Sequence, residues 1–309
     1  MEYLHIFSPA TVANVSCGFD SLGFAIDALG DEMTFTKIED PKVIITQITG
    51  ADLPYETTKN AAGYVAQKML DDASADFGLE ITIHKGFSPG SGLGSSAASA
   101  AGAAFGVHQF LGEQFTKTEL VKYAMLGEEV ACGSQIADNV SAALFGGFVL
   151  IRSYDPLDIK SIPVPSELRA IALHPQVEIK TKDAREVLPE NIPLKDAITQ
   201  WANVGGLIAG LYDDDYGLIS NSLQDIIVEP HRKNLIPGFD EVQKSATKSG
   251  ALGAGISGSG PTIFALCKGD ASQQQVFEAM KNTYSKTEIP FHMYQSKINK
   301  EGIKILSKK

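Results

Sequence analysis

Ser88-Pro89-Gly90-Ser91-Gly92-Leu93-Gly94-Ser95-Ser96-Ala97-Ala98 is the stretch that leaves this chain the fewest options. Ahead of it, residues 79–84 read Leu-Glu-Ile-Thr-Ile-His, an alternation of apolar and polar side chains that predicts a half-buried strand. Behind it, residues 97–111 are rich in alanine and predict a helix. Glycines at 90, 92 and 94 leave the backbone N–H groups of this corner uncovered, and the helix adds the positive end of its dipole. Each glycine forfeits roughly 0.5–1 kcal/mol relative to alanine inside a regular element, so a cluster of them needs a compensating gain. Close approach of a phosphate group to bare amides is such a gain. The hydroxyls of Ser95 and Ser96 fall in the first helical turn, where one can cap the backbone and the other can reach a magnesium ion between phosphates. The plainer alternative is a glycine turn with a serine cap and nothing bound.

At 309 residues the chain exceeds one comfortable core, which predicts two lobes. A net charge of -11 argues against nucleic acid as a partner, because neutralising phosphates takes a clustered excess of Lys and Arg. Any anionic ligand must be met locally. No apolar run approaches the roughly 18 residues of a bilayer span, and Met1-Glu2-Tyr3-Leu4-His5 lacks a signal-peptide pattern, so a cytoplasmic protein with no membrane partner is expected. Cys17, Cys132 and Cys267 lie far apart with no Cys-x-x-Cys pair, which suggests neither a disulfide framework nor a thiolate zinc site.

Periodicity predicts strands at 3–7, 33–38, 42–48, 79–84, 145–152 and 159–164 and helices at 61–72, 97–111 and 117–130, the last capped by Thr116 or its neighbour. Pro163 and Pro165 mark a hinge, which divides the chain into 1–165 and 166–309. The second half reads as strands at 169–173, 251–255 and 262–267, helices at 195–212, 238–249 and 272–284, and a closing pair of strands at 291–296 and 302–306. Strands and helices do not alternate regularly enough for a doubly wound sheet, so the class is α+β. Gly253-x-Gly255-x-x-Gly258 formally matches a dinucleotide fingerprint, but Pro261 leads into a strand-like run where that motif opens a helix. Asp76-Phe77-Gly78 copies the protein-kinase magnesium triplet without its catalytic loop, and is expected to be a helix end with Gly78 as C-cap. The six histidines show no metal-ligand spacing.

The loop at 88–98 resembles the phosphate-binding motif of the kinases grouped as galactokinase, homoserine kinase, mevalonate kinase and phosphomevalonate kinase. Pro9-Ala10-Thr11-Val12-Ala13-Asn14 through Gly18-Phe19-Asp20 resembles the first motif of that family, and Gly253-Ala254-Gly255-Ile256-Ser257-Gly258-Ser259-Gly260-Pro261 the third. Ala137-Asp138-Asn139-Val140, Ala184-Arg185-Glu186-Val187-Leu188-Pro189 and Glu229-Pro230-His231-Arg232 are similar to stretches of its homoserine kinase branch. The resemblance covers residues 3–300. It implies a two-lobed α+β fold, a ribosomal-protein-like lobe against a ferredoxin-like lobe, a homodimer, and transfer of a phosphoryl group from ATP to L-homoserine in threonine biosynthesis. Alternatives left open are another alcohol, isoprenoid precursor or sugar, or a nucleotide sensor without activity.

Carried over by position, the resemblance implies that Ser96 and Glu128 hold Mg2+, and that Pro89, Gly90, Ser91, Gly92, Leu93, Gly94, Ser95, Ser96, Ala97 and Ala98 hold the triphosphate. Gly258, Ser259 and Gly260 close over it, and Asn60 meets the adenine end. Asn14, Asp20, Asn139, Arg185 and Arg232 face the amino acid. Guanidinium groups suit a carboxylate and Asp20 suits an ammonium. Two departures stand out: Ile136 replaces a family histidine, and Asn139-Val140-Ser141-Ala142 replaces Asn-Val-Ala-Pro. Counting back from Gly146-Gly147, Asn139 occupies the place of the aspartate base of mevalonate-type members, and an amide takes no proton at neutral pH. Direct transfer follows, with Asn139 orienting the hydroxyl and Asp138 the alternative base.

Overall fold

In the computed structural model, which describes residues 1–179 and 181–309, the chain builds two sheets joined by a shared core. The first half contributes β1 (Tyr3–Ala13), β2 (Leu22–Ile38), β3 (Val43–Thr49), α1 (Ala61–Asp72), β4 (Gly78–His84), α2 (Ser95–Phe110), α3 (Lys117–Cys132), α4 (Asp138–Phe145), β5 (Phe148–Tyr154) and β6 (Leu157–Ile162). The second contributes β7 (Leu168–Pro175), α5 (Thr181–Glu186), α6 (Leu194–Asp213), α7 (Tyr216–Ser222), α8 (Glu229–Arg232), α9 (Phe239–Lys248), β8 (Gly253–Ile256), β9 (Ile263–Lys268), α10 (Gly269–Tyr284), β10 (Phe291–Lys297) and β11 (Lys304–Lys308).

The larger sheet runs β11-β1-β2-β4-β3, with β5 on β2 and β6 on β5. Leu4, Ile6, Met33 and Phe35 of its strands pack against Val65, Met69, Ala100 and Ala104 of the helices. Alanine is abundant in α2 because this helix is buried centrally, where small side chains let the sheet come close. The smaller sheet, β10-β7-β9-β8, is antiparallel throughout and carries α9 and α10 on a core that includes Val242, Val276 and Met280. Between the sheets, Phe24 and Phe148 of the first stack at 4.7 Å between ring centroids and meet Phe264 of the second edge-on. These rings bury the face that neither sheet covers alone, and they fix the cleft above them.

Thr116 caps α3 through a reciprocal capping box with Glu119, as its sequence predicts. Four expectations are corrected. Gly78 opens β4 and does not close a helix; a Cβ there would lie 2.0 Å from the Asp40 carbonyl oxygen. The strand expected from 145 starts at 148 and is preceded by α4, whose short run of Ala and Leu carries too little periodicity to be read. The strand expected at 33–38 extends back to Leu22 through Gly23 and Gly30, residues that disguise it. The closing strands do not pair: β10 joins β7, whereas β11 returns to the first sheet beside β1. No helix among the described residues is long and apolar enough to cross a membrane.

Candidate active site

A cavity of about 640 Å³ opens between the lobes, and its wall is stitched from three loops far apart in the chain. The Thr11 N–H donates to the Leu93 carbonyl at 2.9 Å, joining the first segment to the glycine loop. Ser257 Oγ donates to the Gly92 carbonyl and Thr262 Oγ1 to that of Ser91, both at 2.6 Å, joining the glycine loop to the third segment. Asn14 Nδ2 donates to the Gly258 carbonyl at 2.8 Å and closes the ring. The glycines are explained partly by this stitching. A Cβ on Gly92 would sit 2.6 Å from the Gly260 oxygen, and one on Gly94 2.1 Å from Thr11 Oγ1, whereas Gly90 faces open space.

At the α2 end, Gly94 occupies the N-cap position with a left-handed backbone and no side chain caps the helix. Ser95 is therefore not the cap its sequence suggests; its hydroxyl donates to the Phe87 carbonyl. The first intrahelical bond is made by Ala98 N–H to Gly94, which leaves the amides of residues 95–97 aimed at the cavity end of a 16-residue helix. Pro89, Gly90, Gly92, Gly94, Ser95 and Ser96 line the cavity, as do Gly258 and Ser259. Ser91, Leu93, Ala97 and Ala98 are buried beneath it and support the loop from behind, and Gly260 packs on Ile236 and Ile179.

Glu128 of α3 faces Ser96 from across the cavity wall. Its carboxyl is buried, its Oε1 has no hydrogen-bond partner among the described residues, and burial raises its pKa to about 7, partly offset by Ser96 and Lys85. A buried carboxylate left with an open oxygen is costly unless a cation completes it. Lys85, Asp31 and Ser99 form a buried cluster behind: Lys85 Nζ is paired with Asp31 and donates to the Ser95 carbonyl at 2.7 Å and to Ser99 Oγ at 2.9 Å. Burial pushes the Asp31 carboxyl up and the Lys85 ammonium down, and each opposes the shift in the other. Lys85 stands at the end of β4 one residue before the glycine loop segment begins to turn, a position that sequence reasoning passed over although a lysine beside such a loop is itself a signal.

The opposite corner is built of charged side chains. Asn14, Val15 and Ser16 have φ of 69°, 45° and 60°, a left-handed turn that strains the β-branched Val15 in particular. It throws Phe19 and Asp20 into the cavity. Arg185 of α5 donates to both Asp20 oxygens at 2.9 and 3.0 Å. Arg232 of α8 is buried and bonds only carbonyls, through Nε to Ala184 at 2.8 Å and Nη1 to Gly258 at 3.1 Å. Both guanidinium groups lie over the Phe19 ring. Burial, with the neighbouring Arg185 charge, lowers the Arg232 pKa to about 10, and Asp20, Asp225 and Asp138 oppose that shift. His231 is exposed and does not line the cavity.

An outer chain of hydrogen bonds holds this corner, and nothing in the sequence announced it. Gln200 Nε2 of α6 donates to the Cys17 carbonyl at 2.9 Å and to Asp225 Oδ1 at 3.0 Å. Asp225 in turn accepts from the backbone of Val228 and Glu229 at the start of α8. The turn that carries Asp20 and the helix that carries Arg232 are thus tied to one glutamine.

Between the two corners lies α4. Asn139 Oδ1 accepts from the Thr11 hydroxyl at 2.7 Å, close against Gly94, and Asp138 Oδ1 accepts from the Asn139 N–H at 2.7 Å. Burial, with the Asp20 charge adding to it, raises the Asp138 carboxyl to about 7. Ile136 lines the same stretch of wall. Asn60 marks the far end of the cavity; its Oδ1 caps α1 and its Nδ2 donates to Pro54, so both polar groups are already engaged.

Residues 56–147 match the GHMP kinases N terminal domain and residues 207–286 the GHMP kinases C terminal domain. A homoserine kinase of Chlorobium phaeobacteroides is 45% identical, with 99% of this chain and 100% of that relative covered. A homoserine kinase of Methanococcus maripaludis is 43% identical over 87% of this chain and 89% of the relative. The crystal structure of a homoserine kinase from Cytophaga hutchinsonii superposes with a TM-score of 0.95 at 48% identity, covering 99% of this chain and 98% of that one. A mevalonate kinase of L. major shares the fold at a TM-score of 0.71 and 16% identity, covering 94% of this chain and 95% of that one.

Proposed function

The chain belongs to the GHMP kinase family, and from that premise we infer that it transfers the terminal phosphoryl group of ATP to the side-chain hydroxyl of L-homoserine, giving O-phospho-L-homoserine for threonine biosynthesis. The observation that carries the reading is the pairing of two unlike corners in one cavity: uncapped helix amides beside an open carboxylate oxygen at one end, and two guanidinium groups gathered over Phe19 beside the Asp20 carboxylate at the other. The first corner suits a nucleotide triphosphate. The second suits a zwitterionic amino acid, whose carboxylate would take Arg232 and Arg185 and whose ammonium would take Asp20.

Ser96 and Glu128 are the residues that would hold magnesium. Hydroxyl and carboxylate oxygens are the donors that ion prefers, and it takes few protein ligands because phosphates and water supply the rest. Bound there, it would neutralise charge on the phosphates. The backbone N–H groups of Gly90, Gly92 and 94–97 and the dipole of α2 would grip the phosphate chain and receive the charge that develops on it, whereas those of Ser91 and Leu93 are already engaged within the loop. Asn139, with its Oδ1 taken by Thr11, has its NH2 group left to orient the acceptor hydroxyl. The hydroxyl proton would leave to phosphate or water, since a loose transition state asks for little general base. A second reading is favoured by the Asp138 carboxyl at about 7, where a base working at neutral pH is best placed. Asp138→Asn separates them: loss of turnover by roughly 100-fold or more with unchanged ATP affinity assigns the proton to Asp138. A small change leaves transfer direct.

The family likeness supports a homodimer in the cytoplasm. An ADP-release assay over homoserine, serine, threonine, mevalonate and galactose tests the activity. Preference for homoserine is expected. Turnover of mevalonate or galactose instead would overturn the substrate, and no turnover with any of the five would overturn the kinase.

A further inference from the structure

Helix α6 has two faces of opposite character. Gln200, Leu207, Gly210 and Leu211 are buried on the inner one. On the outer one, Leu194 (69% exposed), Ile198, Trp201 (58%) and Tyr212 follow one another at helical spacing in open solvent. An apolar stripe along a helix of 20 residues, roughly 30 Å, is larger than scattered surface apolar residues explain.

Gly205 lies in the middle of that stripe. A Cβ there would meet nothing within 4 Å among the described residues, whereas one on Gly206 would strike Ser222 and one on Gly210 would strike Ile219. Packing within the chain therefore accounts for the neighbouring glycines and not for this one, although glycine weakens a helix interior. One flank of the stripe is complementary in charge from end to end. Lys195 sits on it at the N-terminal end and Asp213, which opposes the dipole, at the C-terminal end, whereas Asp196 of the first turn projects about 100° further round, away from the stripe. The helix N-cap, Pro193, supplies no capping side chain.

We propose that the outer face of α6 is where a second copy of this chain docks, antiparallel about a twofold axis at Gly205. That axis brings the bare backbone of each glycine against the other, sets Ile198 opposite the second copy's Tyr212, and places each Lys195 beside the other copy's Asp213. Along that flank each Asp213 then faces a lysine and the positive end of the other helix's dipole. The proposal deepens the dimer suggested above by assigning its surface.

Trp201 is the single tryptophan of the chain, so its emission reports this face alone. Sedimentation of the full chain at micromolar concentration should give twice 33.0 kDa, and dilution should shift the Trp201 emission to the red as the particle halves. Gly205→Leu, which has open space within its own chain, should raise the dissociation constant roughly 30-fold or more while leaving the circular dichroism and ATP binding unchanged. Ile198→Glu should do the same, and Lys195→Glu should weaken the dimer until Asp213→Lys is added to it. A wild-type chain that sediments as a monomer would overturn both the dimer and its surface. A dimer that survives Gly205→Leu and Ile198→Glu, or whose Trp201 emission ignores dilution, would overturn the surface alone.

Discussion

The two corners of the cavity differ in what they are made of. The α2 corner is backbone: N–H groups of a loop whose shape is fixed by hydrogen bonds to two other loops and by glycines that allow them to touch. The α8 corner is side chains, and two of them, Arg185 and Asp20, are paired with each other and about a third exposed. Backbone amides locked in a wall need no rearrangement to meet an anion, so that corner is organised before a ligand arrives. In the proposed reading Arg185 and Asp20 would exchange each other for the two charges of an amino acid, so that corner would be organised by the ligand, within limits set by the Gln200–Asp225 chain behind it. On that proposal rigid groups would serve the part that ATP kinases share, and adjustable groups the part that tells one alcohol from another.

Breaking the α2 corner should have the largest effect. Glu128→Gln is expected to lower kcat roughly 1,000-fold in steady-state assays, because it removes the carboxylate that faces Ser96. The same variant should be more stable without ligand. Burial raises this carboxyl from 4.5 to about 7, so the folded protein keeps a proton that the unfolded chain releases between those values. The stability is present below about 4.5 and is lost as pH rises through 7. Thermal melts of Glu128→Gln against wild type should therefore diverge at pH 8 by an amount on the order of 1–3 kcal/mol and converge near pH 5.

Gly94→Ala tests the stitching. A methyl group 2.1 Å from Thr11 Oγ1 must push the loop off the first segment, and a backbone φ of 70° adds strain. A loss of roughly 100-fold in kcat/KM for both substrates is expected, with a destabilisation of about 1–3 kcal/mol by denaturant titration. If only the homoserine term moved, the two corners would not be separate devices.

Sharpening the contrast takes the outer chain. Gln200→Ala leaves every cavity residue in place but unties the Cys17 carbonyl from Asp225, and should raise KM for homoserine roughly tenfold with KM for ATP unchanged. Equal changes in both would mean that the glutamine merely stabilises the fold. The smallest effect should come from acid. With the Glu128 carboxyl near 7, kcat/KM is expected to fall as pH drops below about 7; an Asp138→Asn profile of wild-type shape fits direct transfer, and a shallower one fits Asp138 as base.

Residues 88–98 were readable as a strand-to-helix corner because such a corner is a local object: glycines in sequence, a strand before, a helix after. The cap at Thr116 and the helix of α1 were readable for the same reason, since caps and periodicity act over a few residues. The charged corner was readable only as a list of side chains. That Asp20 and Arg185 meet across 165 residues of chain, and that Gln200 holds the turn at Cys17, are consequences of packing that no spacing encodes.

By itself, then, the sequence determined the local pieces: which segments turn, which helix offers its positive end, and which residues carry charge. Only the tertiary structure decided that Glu128 keeps an open buried oxygen, that Gly92 and Gly94 are needed by neighbouring loops as much as by a ligand, and that β11 returns to the first sheet. Burial and contact belong to pairs of distant residues brought together by the whole core, and a pKa or a steric limit exists only once that environment does.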